Sequence, residues 1–379
     1  MKLLPPTKQG YWTVWVANLS FFAAYYALLI PLPRYLTQIG LPDWQIGVIL
    51  GAFGVAAVVG RPLAGILTDS WGYRQVLLLG AGSLMVGAAF VSLTTDPVLL
   101  FGLRLLQAFG YVAFTTAGTA LISALALPGQ QGAALALFGA AANVAMAFAP
   151  ALINSLLDVL TVKGTFWLVA ALALGGGALS LALHIEPQPT RPKRSWRVML
   201  AIPRVLYWQM LVAWLVGLGF GAFLQFLPIL TERRGLEPTG LAYAIYGVGI
   251  ILTRLATGRL QDRGDRSRLL AFAFLLLAAA LLGLAFVDLE GLLLANMLLM
   301  AAAMGILHPG VMANHVEMVS PNERWRGVVA FYLGYDTGIG MGSWLLGLAL
   351  EWYGLTGMYL VAALGALLGL AITLRQHKG

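Results

Sequence analysis

The stretch GRPLAGILTDSWGYR, Gly60 to Arg74, interrupts two long apolar runs with glycines, a proline, an aspartate and two arginines. The sequence around it is 60% hydrophobic and only 10% charged over 379 residues, with mean hydropathy +0.85. A soluble domain of this length carries about a quarter charged residues, so a bilayer must serve as part of the solvent. The interruption then reads as a loop between two spans. Other basic residues fall the same way, in short segments between apolar runs rather than in one stripe. The formal charge of +8 is therefore a topology signal, and nucleic-acid binding is excluded. With no cysteine in the chain, disulfides and thiolate metal sites are excluded too.

A spanning helix needs about 20 mostly apolar residues. Twelve runs qualify: 11–30, 44–67, 75–94, 98–121, 131–154 and 165–184, then 205–230, 240–260, 268–287, 289–312, 327–350 and 355–374. The first is long and aromatic-rich and lacks a small-residue cleavage site, unlike a signal peptide. With the N-terminus placed inside, 18 of the 23 Lys and Arg fall on the inner side and four outside, Arg34, Lys163, Arg233 and Arg234. The positive-inside rule thus puts both termini in the cytoplasm.

The opening stretch also recurs. Arg61, Gly65, Leu67 and Asp69 match Arg254, Gly258, Leu260 and Asp262 at an offset of 193 residues. Leu32-Pro33 with Gly40-Leu41 echoes Leu227-Pro228 with Gly235-Leu236, and NVAMAFAP (143–150) aligns with DTGIGMGS (336–343). Two parallel six-helix halves follow, residues 1–185 and 205–379, joined by a basic, proline-rich linker at 186–204.

On these residues the chain resembles the major facilitator superfamily, and the resemblance covers nearly its whole length. The family's loop signature, roughly G-x-L-x-D-R-x-G-R-R, is met by Gly65, Leu67, Asp69, Gly72 and Arg74, with Ser70 and Tyr73 replacing two arginines. The second copy keeps Gly258, Leu260, Asp262 and Arg266. RLLQAFG (104–110) is similar to the family's R-x-x-Q-G, with Ala108 in place of the glycine. The closest likeness is to bacterial drug- and sugar-efflux members. The resemblance implies an all-α membrane protein of 12 spans in two pseudo-symmetric bundles, working as a monomer in the bacterial inner membrane. It implies a cytoplasmic gate at Gly65, Asp69, Gly72, Arg74, Gly258, Asp262 and Arg266. There Gly65 gives close helix approach, Asp69 contacts span 11 and Arg74 holds the turn. The alternative for these charges is a pure topology role.

Ionisable groups inside a bilayer cost about 2.5–3.5 kcal/mol on insertion scales and are functional candidates. Of the 15 acids, only Asp336 lies well inside a span, roughly 13 Å deep. Its counterpart in span 5 is the neutral isostere Asn143, the asymmetry expected of a proton site. Arg104 is the basic residue within a span, about 9 Å below the outer surface. It stays charged there and needs an anion, Asp336 or a carboxylate or phosphate on the substrate. Snorkelling to the interface is the alternative.

In the resembled family, spans 1, 4, 7 and 10 line the cavity, with 2, 5, 8 and 11 beside them. On that scheme the substrate residues are Asn18, Tyr25, Tyr26, Arg104, Gln107, Tyr111, Asn143, Gln225, Asn296, Tyr335 and Asp336. Asp336 and Arg104 are also the proton-coupling pair. Spans 3, 6, 9 and 12 are almost purely Leu, Ala, Gly and Val. His308 reads as an interfacial histidine, with a proton-relay role as the alternative, and His315 and Glu317 as loop residues beyond it.

The four histidines show no metal-ligand spacing, no ATP-binding glycine loop appears, and no nucleophile–base pair suggests an enzyme. No metal and no cofactor is expected; the energy source is a proton gradient. The expected partners are a small-molecule substrate, protons and membrane lipid. The reading is a secondary transporter, by proton-coupled efflux of an amphipathic or sugar-like compound. The alternatives are proton-coupled uptake of an organic anion and, more remotely, a non-transporting membrane sensor or scaffold.

Overall fold

The computed structural model describes residues 10–126, 130–157, 159–181, 201–263 and 266–376. The linker foreseen at 186–204 lies almost wholly outside them, as do the side chains of residues 259–263. Eleven described segments are long and apolar enough to cross a membrane. The last, Arg324–Gln376, is 53 residues long and breaks at Gly354 (φ 66°, ψ −173°) into two crossings. The helices are α1 (Tyr11–Ala27), followed by a short helix, Pro31–Gln38, then α2 (Asp43–Trp71), α3 (Tyr73–Val91), α4 (Pro97–Leu125), α5 (Gln131–Leu156) and α6 (Val162–Leu181). Then come α7 (Tyr207–Arg234), α8 (Thr239–Arg263), α9 (Arg266–Phe286), α10 (Glu290–Glu317), α11 (324–353) and α12 (355–376).

Local chemistry sets several boundaries. Asp96 caps α4, its carboxylate accepting from the Leu99 N–H at 2.9 Å, with Pro97 in the first turn where no N–H is missed. The echo of Gly40-Leu41 in Gly235-Leu236 is a repeated stop signal. Leu41 N–H donates to the Leu36 carbonyl at 3.3 Å, and Leu236 N–H to the Thr231 carbonyl at 2.8 Å. Each bond spans five residues around a left-handed glycine, φ 77° at Gly40 and 65° at Gly235. This is the Schellman closure, which satisfies carbonyls a helix end would strand. The charged turn expected within Gly60–Arg74 is shorter than foreseen. α2 stays helical through Pro62 to Trp71, and Gly72 alone (φ 94°) separates it from α3. α10 likewise continues through His315 to Glu317, so neither is a loop residue.

The chain divides into two compact units, Met1–Pro31 with Val59–Ser195, and Leu32–Val58 with Trp196–Gly379. In the first, α3 and α4 meet at a glycine pair: a methyl on Gly80 would lie 2.8 Å from the Gly110 carbonyl oxygen. One face of α1 grips α5. Tyr11 Oη, Trp15 Nε1 and Asn18 Nδ2 donate to the carbonyls of Ala134, Leu137 and Phe138 at 2.8, 2.9 and 3.3 Å.

In the second unit α11 carries two glycine faces. Gly334, Gly338 and Gly342 face α7; a methyl on Gly334 would lie 2.5 Å from the Met210 carbonyl oxygen. Gly340 and Gly347 face the first part of α2, antiparallel to Gly54 and Gly47. A methyl on Gly347 would lie 2.7 Å from Gly47 Cα, and one on Gly54 2.8 Å from Gly340 Cα. Between them Trp344 Nε1 donates to the Val48 carbonyl at 3.1 Å. Small residues at this spacing let backbones touch, as membrane helices do without a hydrophobic driving force between them. At one end of the seam Asp43 holds Arg233 through two hydrogen bonds, and the Asp43 N–H donates to Glu351 Oε2 at 2.8 Å.

Candidate functional site

The first unit gathers five of the foreseen residues, Arg104, Gln107, Tyr25, Tyr26 and Tyr111. Arg104 is 4% exposed. Its Nη1 donates to Gln107 Oε1 at 3.1 Å, and Gln107 Nε2 donates onward to the Gly87 carbonyl at 2.8 Å. The second bond fixes the amide so that its oxygen faces the guanidinium. Arg104 Cζ lies 5.6 Å from the centre of the Tyr25 ring, a cation–π contact that supplies part of a counter-charge. Tyr25 lies 4.4 Å from Tyr111, Phe22 5.7 Å from both Tyr111 and Tyr26. Arg104, Gln107 and Tyr111 share one stripe of α4 at helical spacing, and Phe22, Tyr25 and Tyr26 sit on the last turns of α1. The result is an aromatic wall ending at a buried cation.

Asn18, foreseen as a cavity residue, is fully buried, its Nδ2 on the Phe138 carbonyl and its Oδ1 without a hydrogen-bond partner. Asn143 on α5 is half-buried.

The second unit gathers a different set. Asp336 is 3% exposed on the α2-facing side of α11, where a methyl on Gly54 would lie 3.3 Å from its carbonyl oxygen. Its neighbour Tyr335 stacks on Phe331 at 5.5 Å and on Phe220 at 5.9 Å. The His308 ring meets both Tyr335 and Phe331 edge-on at 5.1 Å. His308, Phe331 and Phe220 therefore pack around Tyr335, the chain neighbour of Asp336; sequence reasoning placed His308 at the interface and did not single out Phe331 or Phe220. A histidine before a proline inside a span, and aromatics four apart at 331 and 335, were the available signals. Gln225 is buried with its Oε1 lacking a hydrogen-bond partner. Asn296 spends its Nδ2 on the Ala280 carbonyl of α9 at 2.7 Å.

Gly65 and Asp69 lie on the last turns of α2, half-buried, and Arg74 is exposed at the start of α3. Close approach of α2 to a neighbouring helix is made at Gly47, Gly51 and Gly54. Arg266 pairs with Glu317 and reaches Asn314 Oδ1 at 3.4 Å, tying the start of α9 to the end of α10. A methyl on Gly258 would meet open space, and the Asp262 side chain lies outside the described set. Among the described residues no cluster of three or more His, Cys, Asp or Glu could hold a metal ion.

Comparison with known proteins agrees with this architecture. A family model described as Major Facilitator Superfamily matches residues 14–286 and 237–378. YhhS of Escherichia coli (strain K12), an MFS-type transporter, is 23% identical over 378 residues, covering 94% of this chain and 90% of that protein. A chloramphenicol resistance protein of Streptomyces lividans is 27% identical over 245 residues. That match covers 61% of this chain and spans 61% of the relative's length. Among solved structures, the nucleoside transporter NupG superposes with TM-score 0.82 at 15% identity, over 98% of this chain and 100% of that one. A bacterial homolog of the human lysosomal transporter Spinster superposes with TM-score 0.77 at 15% identity, over 97% and 96%.

Proposed function

The chain belongs to the major facilitator superfamily, and from that premise we propose that it exports a small amphipathic molecule in exchange for protons. As a transporter of that superfamily it is an integral membrane protein that binds a small-molecule substrate, and it is not an enzyme. Halves 1–185 and 205–379, joined by the 186–204 linker, rock about a central site. Both termini face the cytoplasm of a bacterial cell whose inner membrane holds the monomer. The 18 inward Lys and Arg support that orientation.

Asp336 carries the proton in this reading. The supporting observation is a carboxyl 3% exposed inside an apolar span, with Asn143 at the matching position of the other half. Ionisable groups within a membrane span are costly to keep and mark proton and ion pathways, which favours Asp336 for this role. Likeness to the chloramphenicol resistance protein over part of the chain favours export. The second reading, uptake of an organic anion with a proton, is favoured by the buried Arg104.

The test is proton movement in proteoliposomes under an imposed pH gradient, with amphipathic cations, sugars and organic acids offered to wild type and Asp336→Asn. A compound that collapses the gradient only with wild type supports coupling at Asp336. The sign of the flux separates exchange from co-transport. Equal responses from both proteins refute the assignment.

A further inference from the structure

We infer that the transported molecule is a planar organic anion, a ring bearing a carboxylate, whose charged group docks on Arg104 and whose ring lies along Tyr26 and Tyr111. The inference rests on the transporter reading above and specifies its substrate class.

Arg104 carries a charge that its surroundings balance only in part, through the Tyr25 ring. A guanidinium presents five N–H donors and cannot be neutralised by losing a proton. Arg104 is almost fully buried, yet one N–H goes to Gln107 Oε1 and its Nε has no hydrogen-bond partner. The acids described in its own unit lie elsewhere: Asp69 at the end of α2 and Asp96 capping α4 from an exposed position. Burying a cation without a carboxylate is strongly unfavourable. Such an arrangement persists where a ligand supplies the missing charge.

The neighbours specify more than charge. Gln107 is locked by Gly87, so it orients the guanidinium fork instead of moving with a ligand. The fork suits the two oxygens of a carboxylate, which it can hold bidentately. Beside it Tyr25 is buried, while Tyr26 and Tyr111 keep part of their surface open. Rings packed on one another at 4.4 to 5.8 Å form an apolar surface beside the cation, which favours a flat, apolar body over a flexible or sugar-like one. The distance between charge and ring is short, since Tyr25 touches both Arg104 and Tyr111.

The test uses the full chain, purified in detergent, with benzoate, 4-hydroxybenzoate and indole-3-acetate as probes, each beside its neutral amide. Calorimetry gives the acid-to-amide affinity ratio. Wild type should prefer the acids by about ten- to a hundredfold, as a charge-assisted hydrogen-bond pair does. Arg104→Gln should bring the acids to the amide level and leave amide binding unchanged. Gly102→Ala, whose added methyl meets open space, should keep the ratio. Arg104→Lys covers the case in which Arg104→Gln does not fold: losing the fork should cut the ratio several-fold. Equal binding of acid and amide, a ratio that survives at Arg104, or no binding of any of the three acids overturns the inference. The two readings fail separately. Acids that bind without moving protons in vesicles would sink the coupling and leave the site. Neutral compounds that alone move protons would sink the site and leave the coupling.

Discussion

Replacing Gly347 by alanine tests whether the α2–α11 seam is a joint that must close. The added methyl would lie 2.7 Å from Gly47 Cα, 3.0 Å from the Asp43 carbonyl oxygen and 3.1 Å from Gly47 N. All three are backbone atoms, so no side chain can swing aside. Carbon atoms settle at about 3.5–4.0 Å, which requires the helices to part by about 1 Å. Overpacking of this kind costs about 1–3 kcal/mol, charged only to the state in which the seam is shut. The ratio of shut to open molecules should then fall about 5- to 150-fold. The chain has no native cysteine, so nitroxide labels can be placed at will. Trp44 and Trp352, 42% and 69% exposed, flank the seam. Pulsed electron resonance between labels at these sites should show a longer distance gaining weight in Gly347→Ala. Gly102→Ala, whose methyl meets open space, should leave the distribution alone. An unchanged distribution in a folded Gly347→Ala protein would refute the reasoning.

Gly235→Ala strains a left-handed residue, φ 65°, and should cost about 1 kcal/mol, read as a drop in apparent melting temperature; Gly40→Ala should behave alike, and a loss at one site only would separate the two echoes. Asp96→Ala removes the α4 cap and should cost about 1 kcal/mol in the same melt. Asp43→Asn weakens an ion pair that is partly exposed, so stability should change by less than about 1 kcal/mol, and the label distances should lengthen more at low salt than at high salt.

What the sequence disclosed followed from rarity. One deep acid and one deep arginine, Asp336 and Arg104, stand out in a chain with few charges, and both are buried. The Gly40 and Gly235 echo was legible because a helix stop is local chemistry. The seam was not legible, although Gly47, Gly51 and Gly54 lie in plain view. With 45 glycines, spacing says which helices can approach closely but not which partner each meets. Amides were ambiguous for a related reason. In a bilayer an Asn reaches a ligand or a neighbouring backbone with equal ease, and helix rotation decides. Asn18 and Asn296 turned to carbonyls of α5 and α9, whereas Gln107 turned to Arg104. His315 was misplaced because helix ends are poorly marked where polar residues trail an apolar run.

The grip of α1 on α5 has a mechanical consequence. Its three bonds, from Tyr11, Trp15 and Asn18, are strung along two turns of one helix face. Sliding α1 by a single residue, about 1.5 Å, would break all of them together, and twisting it would break the outer two first. The two helices therefore behave as one stiff lever. Tyr25 and Tyr26 ride near its tip, so any displacement of α5 is delivered to the aromatic wall without slack. Cutting the linkage at Tyr11, Trp15 and Asn18 together would leave the wall in place but without its hydrogen bonds to α5.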